Sequence, residues 1–200
     1  HLLLAAFNAW QPGVFAMSGW DLLGSLTVPR EQVADLIADG DTRWIERGAH
    51  DLLGVAPEEE RSASGMPRSR SLYGTLPDQL SRPDSFASGL ADLLRIRSRF
   101  GIATARQVDV PDVAHPGMLV LVHELESLDE QGLPIVQLTV LNMSAEAVDG
   151  TVRSDALPLG ATVIDAGDDS EVTTVDNLSS FPLSIGPYGV RFLVLRRPEA

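Results

Sequence analysis

Residues 118–143 read MLVLVHELESLDEQGLPIVQLTVLNM, and the fold of the second half of the chain turns on this stretch. Met118–Leu125 and Ile135–Met143 are runs rich in Val, Leu, Ile and Thr, parted by Asp, Gly and Pro. Such side chains suit a pleated, half-buried surface, whereas Gly, Pro, Asn and Asp end strands. In the second run Ile135, Gln137 and Thr139 alternate with Val136, Leu138 and Val140. Both sets are fairly apolar, as in a strand central to a two-layer sandwich. Similar runs recur at Val148–Arg153, Ala161–Ile164, Val172–Val175, Leu183–Ile185 and Val190–Leu195, with turn residues between them. This spacing predicts an antiparallel β-sandwich over residues 104–200.

The first half has another texture. Leu2–Trp10 reads as a helix stopped by Gln11-Pro12-Gly13. Val14–Met17 is a short apolar run without polar alternation, as in a buried strand of a parallel sheet. Pro29 to Asp39 reads as a short helix with Val33, Leu36 and Ile37 on one face. Residues 41–84 form a long excursion rich in Ser, Arg, Pro, Gly and Glu, of a length that is usually functional or disordered. The clearest helix starts at Asp84 or Ser85, either of which can cap it, and runs to Phe100. Phe86, Leu90, Leu93, Leu94 and Arg97 share one face, and Gly101 supplies the stop.

Composition excludes several classes of function. The 200 residues contain no cysteine, and all 15 basic residues are arginine. A disulfide scaffold, a zinc ribbon, a thiol nucleophile and any lysine-dependent phosphate or Schiff-base site are absent. The formal charge is −13, which argues against nucleic-acid binding, because phosphate neutralisation needs a basic patch. Charge divides unevenly, −3 over residues 1–100 and −10 over residues 101–200, at the point where the texture changes. Leu2–Gly19 is apolar enough to raise a membrane question. Asn8, Gln11, Pro12 and Gly13 interrupt it and no basic segment precedes it, so a buried helix and strand are expected instead of a span or a signal. An opening inside an apolar run, without Met, points to the tail of a longer polypeptide.

Most candidate motifs have ordinary readings. His1, His50, His115 and His123 match no metal-ligand spacing. Asp165, Asp168, Asp169 and Glu171 cluster beside Gly167 without EF-hand spacing, as in a solvated turn. Asn142-Met-Ser and Asn177-Leu-Ser match the glycosylation sequon, read as chance without a signal peptide. The segment with functional content is Gln11–Gly24, QPGVFAMSGWDLLG. A buried strand ending at Ser18-Gly19-Trp20-Asp21 would put polar and aromatic groups past its carboxyl end, where α/β folds bind ligands. Trp20 could stack on a sugar and Asp21 accept from its hydroxyls. Equally, Trp20 could plug the barrel end and Asp21 cap the next turn.

This segment, in the order helix, PGVFAMSGWDLLG, long loop, amphipathic helix and β-rich region, resembles the end of an α-amylase superfamily glycoside hydrolase. The closer likeness is to a bacterial trehalose-synthase-like branch, carried by WQPGVFAMSGWDLLG, RWIERGAHDLLG (Arg43–Gly54), SGMPRSRSLYGTLPDQL (Ser64–Leu80) and RSRFGIATARQVDVPDVAHPGMLVLVHEL (Arg97–Leu125). The resemblance implies an α/β plus all-β chain. Residues 1–103 would be the last strand, long loop and final helix of a (β/α)8 TIM barrel, and residues 104–200 the C-terminal antiparallel β-sandwich. It implies interconversion of maltose and trehalose by retaining glucosyl transfer, with the catalytic carboxylates upstream and the segment inactive alone. Trp20, Asp21, Arg43 and Trp44 would be substrate-binding, the last two in a loop that shuts out water. The implied partners are maltose, trehalose or related glucosides, the upstream barrel portion of the same protein, and a second copy in a homo-oligomer, with neither nucleic acid nor membrane. No cofactor or metal is expected in this chain, a structural calcium being common upstream, and the implied location is cytoplasmic. The rival reading is a non-catalytic carbohydrate-binding or structural β-sandwich module. Against it, only Phe181, Tyr188 and Phe192 follow Phe100 as aromatics.

Overall fold

The computed structural model describes residues 1–199. They form two units, one of residues 1–15 together with residues from 92 onward, and one of residues 16–91.

The first unit is built on eight antiparallel strands: β1 Arg106–Asp109, β2 Met118–Leu128, β3 Pro134–Asn142, β4 Val148–Arg153, β5 Thr162–Asp165, β6 Ser170–Thr174, β7 Ser180–Ile185 and β8 Val190–Arg196. Six make one sheet in the order β1-β2-β3-β8-β5-β6, and β4 pairs with β7 in a second. The antiparallel sandwich expected from the turn spacing is therefore present; β1, which is polar and short, is the strand the pattern did not show.

Register explains the core. Val122 lies opposite Leu138, Leu138 opposite Leu193, and Val136 opposite Leu195. Because side chains alternate across a strand, these share one face. They pack with Val148 and Val152 of β4 and with Phe181, Leu183 and Ile185 of β7 in one buried cluster. The other face of β3 carries Gln137 and Thr139, which are also buried. Its cover includes Trp10, at the end of helix α1 Leu2–Ala9. The Trp10 ring meets Phe192 edge-on at 5.2 Å, Phe100 stacks on Phe192 at 5.2 Å, and the Trp10 indole N–H donates to the Leu93 carbonyl at 3.1 Å. Arg97 fastens the same segment: its guanidinium donates to the carbonyls of Ala9, Gln11 (2.7 Å) and Gly13.

Beneath this cover runs a polar chain. His123 and Gln137 stand opposite each other in the β2–β3 ladder. The Gln137 amide N–H donates to Thr139 Oγ1 at 3.1 Å, which turns Gln137 Oε1 toward His123 Nδ1, 2.8 Å away. Nδ1 is therefore the donor, and Nε2 is left buried with no partner among the described residues. Burial pushes the His123 pKa down, partly opposed by the bond to Gln137.

The second unit is mostly loop. Among its residues are α2 Gly19–Leu23, the 3₁₀ turns Arg30–Val33 and Thr42–Glu46, α3 Leu76–Leu80 and the first residues of α4 Phe86–Phe100. Two expectations are corrected here. Val14–Met17 is not a strand, and Val14 is 98% exposed. A parallel strand exists only through neighbouring strands, and no described strand pairs with this run. The helix expected over Pro29–Asp39 shrinks to the 3₁₀ turn, because only Val33 and Ile37 of its apolar face are buried, in a small cluster with Val28. The long helix forms as expected. Ser85 Oγ accepts from the Ser88 N–H at 3.1 Å, and Gly101 follows in the left-handed region at φ 62°.

Candidate functional site

Ser18, just ahead of α2, has the residue pattern of a helix start and behaves as one. Its hydroxyl accepts from the Asp21 N–H at 3.3 Å, while the Asp21 carboxylate accepts from the Ser18 hydroxyl at 2.8 Å and from the Ser18 N–H at 3.3 Å. This reciprocal capping fixes the first turn. Trp20 therefore projects from an anchored backbone. Its indole N–H donates to the Gly48 carbonyl at 3.0 Å, and the residue remains 38% exposed. The His50 and Trp20 rings form a T-shaped pair, 6.1 Å between centroids at 71°. His50 is the residue of this site that the sequence does not single out; its only sequence signal is its position six residues after Trp44.

Arg43 and Trp44 lie together on the Thr42–Glu46 turn. The Arg43 guanidinium grips Asp41 with two bonds, 2.7 and 2.8 Å, which hold the Asp41 pKa at about 2. Trp44 packs against the cluster of Val28, Val33 and Ile37, and Arg47 lies over its ring at 5.2 Å. Thus Trp20 and Asp21 share one capped turn and Arg43 and Trp44 another. The Asp21 and Arg43 charges are engaged within their own turns, and Trp20 is partly exposed.

Elsewhere the chemistry is structural. The acidic residues near Gly167 are distributed among cations: Asp165 binds Arg191 at 2.7 Å, Asp169 binds Arg99 at 2.9 Å, and Glu171 binds Arg196 at 2.6 Å. Among the described residues no group of three or more His, Asp or Glu is placed to hold a metal ion. Asn142 is buried, donating to the carbonyls of Glu146 (2.6 Å) and Gly186 (2.8 Å), so its sequon is closed to a glycosyltransferase. Of the aromatics after Phe100, Phe181 and Phe192 are buried and Tyr188 is exposed, so the sandwich carries no stacking platform of several rings. No described helix is long and apolar enough to cross a membrane.

No protein-family model matches the sequence, and no curated protein does. Solved structures do share the fold. Amy13B of Eubacterium rectale is 14% identical with a TM-score of 0.65, covering 98% of this chain and 34% of its own. Trehalose-6-phosphate hydrolase of Bacillus licheniformis is 15% identical with a TM-score of 0.62, covering 98% and 38%. An isomaltulose synthase mutant of Erwinia rhapontici, in complex with D-glucose, is 15% identical with a TM-score of 0.62, also covering 98% and 38%. These are enzymes of the α-amylase family, and the antiparallel sandwich is a fold they share with this chain. The chain spans little more than a third of their length.

Proposed function

We propose that this chain is the C-terminal part of a retaining, glucosyl-transferring enzyme that interconverts maltose and trehalose. The observation that carries the reading is that 98% of the chain matches the fold of α-amylase-family enzymes, hydrolase and synthase alike, each with a TM-score of 0.62. Glucose in one of these neighbours supports a glucoside as ligand. Retaining transfer needs a carboxylate nucleophile and a protonated acid about 5–5.5 Å apart, which in this reading lie upstream together with any structural calcium. This chain then contributes substrate-shell groups. Trp20 offers its exposed face to a sugar ring, Asp21 holds the turn that presents it, and the Arg43–Trp44 turn helps to keep water from the glucosyl intermediate, which favours transfer over hydrolysis.

Incubating the purified protein with maltose, and separately with trehalose, tests this. Appearance of each sugar from the other, with glucose as a minor product, is the expected result. Glucose alone would refute the transfer reading, and indifference to both sugars would refute the assignment. An intact denatured mass well above 21.5 kDa is expected as well. Trp20→Ala and Asp21→Ala should lower kcat/KM for maltose; unchanged values would remove both residues from the site.

A further inference from the structure

We propose that His50 is a positioning residue for Trp20, holding the indole ring in the attitude in which it stacks on a glucoside; this rests on the substrate-shell role proposed for Trp20 above. Three supports fix that ring. The capping box of Ser18 and Asp21 sets the backbone, the Gly48 carbonyl takes the indole N–H, and the His50 ring packs against the indole in a T-shaped pair. The last two come from one short stretch, so residues 48–50 hold Trp20 by a hydrogen bond and by a ring contact.

The manner in which His50 is held shows what part of it matters. Its Nδ1 is buried with no partner among the described residues, so that nitrogen fixes nothing; the ring acts by packing. Room for it depends on Gly19, where a Cβ would stand 2.9 Å from His50 Nε2. Gly19 does not adopt a positive φ, so alanine is compatible with the backbone there and favours helix. The collision would be with the tip of a side chain, which moves aside. Gly19→Ala is thus a way to displace the His50 ring without deleting it.

The experiment uses the full-length protein with p-nitrophenyl α-D-glucopyranoside as probe, comparing Trp20→Ala, His50→Ala, His50→Phe and Gly19→Ala. An aromatic pair's contribution corresponds to a change of about three- to tenfold in KM, and a group that binds substrate and transition state alike leaves kcat nearly unchanged. The expected pattern is a raised KM for Trp20→Ala, His50→Ala and Gly19→Ala, with His50→Phe close to the parent because it keeps a flat ring at that position. A raised KM in Trp20→Ala, with His50→Ala and Gly19→Ala unchanged, overturns the inference while leaving the Trp20 role standing. An unchanged Trp20→Ala overturns the Trp20 role and the inference with it. A defect in His50→Phe equal to that in His50→Ala overturns the ring-packing account.

Discussion

Replacing His123 by phenylalanine should remove a pH dependence from the sandwich. His123 is fully buried, its Nδ1 bonded to Gln137 and its Nε2 unpartnered. Burial lowers its pKa in the folded state, so the unfolded chain binds the proton more readily. The stability this ring confers is complete above the unfolded value of about 6.5 and is lost as pH falls toward the folded value. One proton taken up on unfolding changes stability by about 1.4 kcal/mol per pH unit, so between about pH 7.5 and 5.5 the loss has a ceiling of about 1.4 kcal/mol. Phenylalanine keeps the ring and abolishes the titration, but leaves Gln137 Oε1 without a donor, at about 1–3 kcal/mol. Adding Gln137→Leu removes the stranded acceptor and should restore part of that loss. Hydrogen exchange of peptides from β2 and β3, corrected for intrinsic rates, reads these differences locally in the intact protein. The reasoning fails if His123→Phe loses as much protection on acidification as the parent does.

Trp10→Ala should destabilise the sandwich unit by about 3–5 kcal/mol, since it removes a fully packed ring and its bond to Leu93; a thermal melt checks it, and a negligible shift in midpoint would show that the cover over β3 adds little. Secretion from a glycosylating host should yield modification at exposed Asn177 and none at buried Asn142, read by peptide mass spectrometry. The Asp41 carboxylate should titrate near pH 2 in an NMR experiment, its bonds to Arg43 persisting above that pH and failing below it. In Arg43→Gln it should return toward the ordinary carboxylate value of about 3.9.

Strands whose two faces are both apolar were readable from the sequence because burial is written into every residue. Val136, Leu138 and Val140 point into the sandwich, and the polar Gln137 and Thr139 between them are buried as well, so β3 reads as central whichever face is considered. The run over Val14–Met17 looks alike in composition, yet a four-residue apolar run takes its structure from whatever stands beside it, and here no described strand pairs with it. β1 escaped notice for the opposite reason: Arg106-Gln107-Val108-Asp109 has edge-strand composition, and its pairing to β2 includes a register shift at Gln107–Asp109. At the site, the sequence suggested Asp21 as the cap of the turn after it, whereas its carboxylate bonds back to Ser18 at the start of its own turn. The neighbourhood of Trp20 and His50 was not legible, because thirty residues of loop closure bring them together and no periodicity records a loop's path.

The fastening of residues 1–15 has a practical consequence. The chain leaves the sandwich unit at Phe15 and rejoins it at Asp92, yet the departing segment stays fastened, Trp10 packing on Phe192 and donating to Leu93 while Arg97 donates to three of the segment's carbonyls. A protease cut in the intervening loops would therefore separate the polypeptide without releasing its first piece. Such a nicked protein should run as two bands on a denaturing gel and as one particle in solution. By the same logic, the gene can be divided within residues 41–70 and the two halves co-expressed, α1 serving as the plug by which one half finds the other.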